Sequence, residues 1–259
     1  MSDDPETVPD TEDKPQRGLP DGDHTTEDKD GNVETAFTLA KGKLHGEFRR
    51  YDTGSLTQRS HFVNGVLNGP TELFADGLLV QRVPYLNGVL QGDLEIFADD
   101  GETVAQRFPH VEGKKHGTAE IYDKGRLQVK IDYADDVQDG PLVTYSPTKR
   151  PMARLHFKSG KKHGPAIYYD PDGNPVKRET YDSGKLHGPA SDLLPNGVTI
   201  KTMTYEEDLL TGDVMEYDHK GKETFRQRFA EGEPVGPKQE KTRFGWKDIE
   251  PKADEEEET

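Results

Sequence analysis

Two short half-apolar runs joined at a turn pair make up the unit of hydrophobic pattern in this chain. In GKKHGPAIYYDPDGNPVKRETY, residues 160–181, the runs flank Asp172-Gly173, and after two further residues the text resumes as GKLHGPASDLLPNGVTIKTMTY, residues 184–205. Asp-Gly and Asn-Gly supply the left-handed backbone of a tight hairpin turn, so each pair of runs predicts a strand, a turn and a second strand. The turn recurs as Thr53-Gly54, Asp76-Gly77, Asp100-Gly101, Lys124-Gly125, Asn196-Gly197 and Lys220-Gly221.

A second set of glycines meters the array. Glycine stands at 46, 69, 92, 117, 140, 164, 188, 212 and 236, at intervals of 23, 23, 25, 23, 24, 24, 24 and 24 residues. Four residues before each lies another glycine, replaced only by Asp136 and Asp208, and aspartate tolerates the left-handed backbone. Repetition at this period predicts stacked supersecondary units. The fold class expected is all-β: a single-layer antiparallel meander, or solenoid, of about eight 23–25-residue hairpins. Asp30-Gly31, 11 residues before Gly42, suggests that the array opens with a half repeat. The organisation expected is residues 1–29 as a disordered acidic tail, 30–237 as the array, and 238–259 as a cap segment and acidic tail. Arg243-Phe244-Gly245-Trp246, with the only tryptophan, is the candidate cover for the last hairpin's edge. Two copies depart from the pattern: the third has an extra pair of residues near Ala105 to His110, read as a bulge, and the fifth replaces its turn with Ser146 to Arg150.

Aromatic residues keep register with the glycines. One row holds Tyr51, Phe74, Phe97, Tyr122, Tyr145, Tyr169, Leu193 and Tyr217; the other holds Phe62, Tyr85, His110, Tyr133, Phe157, Tyr181, Tyr205 and Phe229. Stacked rings pack a thin sheet, and tyrosine and arginine also dominate interface energetics. The aromatics of the first row, with Arg49, Arg59 and Arg82 in the early repeats, are therefore the candidate binding residues, one face serving packing and the other contact.

Charge narrows the partner. Residues 1–40 hold 12 acids and 3 bases, 237–259 hold 8 and 5, and the total of 50 and 34 leaves 30 and 26, net -4, for the body. That balance argues against nucleic acid and ranks membrane association last; acidic arms would steer a basic partner. No cysteine is present, which excludes thiolate metal sites and thiol nucleophiles. The start, MSDDPETVPD, has neither a basic nor an apolar leader region, so a cytoplasmic location is expected. Histidines 45, 116, 163 and 187 share one slot of the Gly-x-x-His-Gly connection; copies roughly 9.6 Å apart cannot share an ion whose ligands lie about 2 Å from it, so no metal or other cofactor is expected. No serine occupies a Gly-x-Ser-x-Gly elbow and no phosphate loop is complete, so no catalytic residue is assigned.

Gly42-Lys43-Leu44-His45-Gly46, Gly113-Lys114-Lys115-His116-Gly117, Gly160-Lys161-Lys162-His163-Gly164 and Gly184-Lys185-Leu186-His187-Gly188 each precede an aromatic or leucine and a turn glycine. With these motifs, over about 200 residues, the chain resembles the MORN-repeat superfamily and, more closely, its bacterial variant in proteins classed as YwqK-type antitoxins. The resemblance implies an all-β row of hairpins used as a binding surface, without catalysis. Many MORN repeats carry a second glycine two positions after His-Gly; here those positions are Phe48, Thr71, Leu94, Ala119, Leu142, Ala166, Ala190 and Val214. The function expected is a non-catalytic protein-binding repeat protein, of antitoxin or immunity type, masking a basic toxin. The alternative is a scaffold or tether, with self-association through end strands.

Overall fold

A computed structural model describes residues 18–249. Among them are 26 strands and no helix, and the strands form an open antiparallel sheet in hairpin order. The chain divides into two compact units, residues up to 104 with 110–113, and residues 105–109 with those from 114 onward.

In the first unit, Lys43–Asp52 pairs with Ser55–Val63, and Gly69–Ala75 with Leu78–Leu86. In the second, hairpins follow one another from Gly117–Asp123 with Arg126–Ala134 through Leu209–Tyr217 with Glu223–Ala230. The two-residue turns have the predicted handedness, whereas at Gly101, Gly173, Gly197 and Gly221 only the glycine of the pair is left-handed. Thr53 and Gly54 have φ of 47° and 82°, and Asp76 and Gly77 have 50° and 79°, the pattern that matches the right-handed twist of the flanking strands.

Turn length explains the uneven spacing of the glycines. Two-residue turns give the intervals of 23, as at Asp52↔Ser55 and Ala75↔Leu78. One more residue gives 24: Asp170 N donates to Asn174 O at 2.9 Å, and Leu194 N to Val198 O at 2.8 Å. The interval of 25 carries its surplus in the turn, where Ala98 N donates to Thr103 O at 2.8 Å, and Val104–Val111 is one strand. The expected bulge near Ala105 to His110 is corrected accordingly. Bulges instead recur beside the turns, between Arg50 and Tyr51, Leu73 and Phe74, and Ile121 and Tyr122. The fifth copy keeps the longer turn without glycine: Ser146 N donates to Arg150 O at 2.8 Å, and Lys149 takes the left-handed place at φ 64°.

Both ends of the array differ from expectation. Gly22–Glu27 pairs with Val33–Ala40, so a full hairpin precedes the first repeat and begins inside the segment assigned to the tail. Residues 1–17 and 250–259, where the rest of the acidic tails falls, lie outside the described residues. At the other end Gln239–Thr242 pairs with both Glu223–Ala230 and Gly245–Asp248. Trp246 therefore belongs to an added strand and does not lie across an edge.

The connections set the stacking. Each pairs two left-handed residues, such as Asn64 and Gly65, and the second donates its N–H to the preceding copy: Gly65 to Leu44 O and Gly88 to Leu67 O, both at 2.7 Å, and Gly184 to Lys162 O at 2.8 Å. Asp136 and Asp208 keep the conformation, at φ 70° and 72°, and donate in the same way. Their carboxylates also accept the Lys115 and Leu186 N–H, each at 2.7 Å. The core lies on one face, in the column two residues after each connecting glycine: Phe48, Thr71, Ala119, Ala166, Ala190 and Val214 are all buried. The second aromatic row flanks it. Phe62 meets Phe48 edge-on at 6.0 Å, and Tyr205 and Phe229 pack on Ala190, Met203 and Val214. Ser60 and Thr71 are fully buried and satisfy each other, Thr71 donating to Ser60 Oγ at 3.1 Å.

Gly65 and Gly69 separate two demands within one connection. The φ of 83° at Gly65 is near the range asparagine adopts, whereas Gly69 has φ 124° and an added Cβ would stand 3.2 Å from His61 Cβ. Gly69→Asn is expected to lose about 1–3 kcal/mol more unfolding free energy than Gly65→Asn. Urea denaturation of the two variants measures the difference, and equal losses would refute the conformational argument.

Candidate functional site

Strand alternation sends the third and fifth residues after each connecting glycine to the face opposite the core. Across strands the third positions line up with residues of the return strands. In the first unit the resulting row runs Ala36, Arg49, Arg59, Glu72, Arg82, Glu95, each paired with the next. In the second it runs Arg107, Glu120, Lys130, Val143, Arg154, Ile167, Arg178, Ser191, Thr202, Met215, Arg226, Gln239.

From Arg59 to Glu95 this row is an alternating charge ladder. Glu72 is buried and its two carboxylate oxygens take different arginines: Arg59 binds Oε2, and Arg82 Nε donates to Oε1 at 3.2 Å. Arg82 Nη1 reaches Glu95 at 3.0 Å. The aromatic row lies directly alongside, with the Arg59 guanidinium 5.7 Å from the Phe74 centroid and that of Arg82 5.2 Å from Phe97. Arg49 faces Arg59 and is compensated on its own strand. The Tyr51 hydroxyl and then Glu47 raise its pKa above the ordinary guanidinium value.

Glu120 repeats the motif in the second unit. It accepts from the Tyr122 hydroxyl at 2.6 Å and pairs with Lys130 at 3.1 Å and Arg107 at 3.3 Å. The Tyr122 hydrogen bond, with help from Lys130 and Arg107, holds the Glu120 carboxyl below its ordinary pKa. Burial first, and the adjoining carboxylate second, push the Tyr122 phenol up. Further along, the Tyr217 hydroxyl lies 3.4 Å from Thr202 Oγ1. Arg226 lies 4.7 Å from the Trp246 ring, which Lys241 also covers at 4.6 Å. Tyr145 and Tyr169 hold the same column, half-buried, opposite Pro151 and Pro175.

All ten residues singled out in the sequence, Arg49, Tyr51, Arg59, Phe74, Arg82, Phe97, Tyr122, Tyr145, Tyr169 and Tyr217, thus fall on the face opposite the core of their own unit. Arg59 and Arg82 are not independent anchors, because each is neutralised by Glu72. The glutamates were missed. Reading the third position after each glycine as a column, Arg49, Glu72, Glu95, Glu120, Val143, Ile167, Ser191, Met215, would have found them.

The four connection histidines lie apart from this face's centre and link copies. His163 Nδ1 is 3.1 Å from Asp182, His116 is 3.7 Å from Asp135 and His187 is 4.0 Å from Glu207, while Asn64 N lies 3.5 Å from His45 Nδ1. Among the described residues no group of three or more histidine or acid side chains is arranged to hold a metal ion.

Residues 162–183 match the MORN repeat variant. The match spans one whole hairpin, Gly164–Tyr169 with Pro175–Asp182, and its entry from the preceding connection. No curated protein matches the chain. MORN repeats are generally protein- or membrane-binding modules and are non-enzymatic. The matched hairpin presents Ile167 and Arg178 on the ladder face and buries Ala166 and Glu179 on the other.

Two outcomes test this geometry. Glu72→Gln is expected to cost about 1–2 kcal/mol, less at high salt, because two half-exposed arginines lose a shared buried carboxylate; denaturation at two salt concentrations reads it. The Glu120 carboxyl has a folded pKa below its unfolded value of 4.5. Its contribution to stability is therefore complete above about pH 4.5 and is lost as pH falls through the lowered value. Tyr122→Phe is expected to move the Glu120 carboxyl titration upward in NMR, and an unchanged titration would refute the hydrogen bond's role.

Proposed function

We propose that the chain is a non-catalytic protein-binding repeat protein that meets its partner with the ladder face. The supporting observation is the division of labour between faces. The core and the second aromatic row occupy one side of each unit, while rings carrying half-exposed arginines occupy the other. Planar cations stacked on rigid rings are poor core material and good contact surface, since both are pre-organised and lose little entropy on binding. The narrower form of this proposal follows the resemblance to antitoxin-like repeat proteins and makes the partner a toxin; co-expression with a neighbouring growth-inhibitory gene product tests that form, with rescue of growth expected.

The face assignment is tested by photo-cross-linking with benzoylphenylalanine placed at Phe74 or Tyr169, against Phe62 or Tyr181 on the opposite side. Adducts of one defined mass in cell extract are expected from the first two positions only. Adducts from the second pair, or from none, would refute the assignment.

A further inference from the structure

The ladder row changes character within the second unit. Where the first unit places Glu72 between Arg59 and Arg82, the second places Ile167 between Arg154 and Arg178, with Arg154↔Ile167 and Ile167↔Arg178 in the same register. Val143 likewise stands between Lys130 and Arg154. Arg154 and Arg178 are both exposed, and neither side chain makes a hydrogen bond or ion pair among the described residues. Lys158 and Lys161, paired across the connection at the margin of the same face, also have no carboxylate partner there, whereas the corresponding pair in the first unit is Val63 and Val66. The chain thus supplies the carboxylate itself between Arg59 and Arg82 and omits it between Arg154 and Arg178.

We infer that the row through Arg154, Ile167 and Arg178 is a docking surface for an acidic segment of a partner protein in polyproline II conformation, with acids three residues apart. Spacing selects the conformation. Neighbouring strands are about 4.8 Å apart, so the two arginines stand roughly 9.6 Å apart. A polyproline II segment rises about 3.1 Å per residue with three residues per turn, which puts residues i and i+3 on one side about 9.3 Å apart. In a β-strand, same-side residues lie about 6.7 or 13.4 Å apart and do not match the spacing of Arg154 and Arg178. Each incoming carboxylate pairs with one arginine, as Glu72 pairs with two in the first unit, and Ile167, standing in the register place of Glu72, gives the segment an apolar seat between them.

This inference rests on the protein-binding reading and sharpens it to a partner chemistry. Its test is fluorescence anisotropy of the full chain at low salt with labelled (Glu-Pro-Pro)4 and, at equal charge, (Glu-Pro)4. The first peptide is expected to bind at least tenfold tighter. Arg154→Ala with Arg178→Ala, and separately Ile167→Glu, which restores an in-chain carboxylate, are each expected to weaken it at least tenfold, while Lys29→Ala, in an exposed turn of the first unit, leaves it unchanged. Equal binding of the two peptides, or indifference to the Arg154 and Arg178 changes in variants whose circular dichroism is intact, overturns the inference. So does tighter binding of a peptide of residues 1–17, which would make the occupant this chain's own tail, or arginine-dependent binding to phosphatidylserine vesicles without peptide binding. If the peptides fail while cross-linking at Phe74 or Tyr169 still traps a protein, only this inference falls; loss of both removes the protein-binding reading as well.

Discussion

One hydrogen bond, repeated, governs this protein: the amide of a left-handed connection residue donates to a carbonyl of the preceding copy, as Gly65 does to Leu44 and Gly184 to Lys162. The bond requires two successive residues with positive φ, which is costly for most side chains and nearly free for glycine. Stacking of copies and the chain's composition are therefore the same constraint seen twice. Where glycine is given up, at Asp136 and Asp208, the replacement keeps the backbone and adds a carboxylate contact to the same neighbour.

Fixed connections leave the opposite ends of the hairpins free to vary. The turns lengthen by one or two residues without disturbing the pairing between strands, and Ser146 to Arg150 dispenses with glycine by placing Lys149 in the left-handed region. Strand alternation then sorts the side chains. Small residues such as Ser60, Thr71, Ala119 and Ala166 lie between larger rings on one face, so a sheet without a second layer still buries a column of side chains. The other face is left to charge and aromatic rings.

On that face two stretches of the row treat the same scaffold differently, one around Glu72 in the first unit and one around Ile167 in the second. In the first, Glu72 neutralises two arginines that also cover aromatic rings, and the surface is satisfied from within. In the second, Ile167 stands between Arg154 and Arg178 in the register place of Glu72, so these two cations have no carboxylate of the chain between them. The MORN variant match at residues 162–183 covers the hairpin that carries Ile167 and Arg178.

The sequence by itself determined the hairpins, their number between Gly46 and Gly236, the left-handed backbone of the two-residue turns and the register of the two aromatic rows. Each of these depends on local backbone preference and on alternation of period two, which a chain displays in one dimension. It did not disclose that Gly22–Glu27 and Gly245–Asp248 extend the array, because neither strand carries the full glycine meter and only pairing with a neighbour makes them strands. Nor did it show that Arg59 and Arg82 share Glu72, or that Arg154 and Arg178 have no such acid. Those residues are 10 to 24 positions apart in the chain, and only the register between strands brings them into one row, where a charge is either cancelled or left standing.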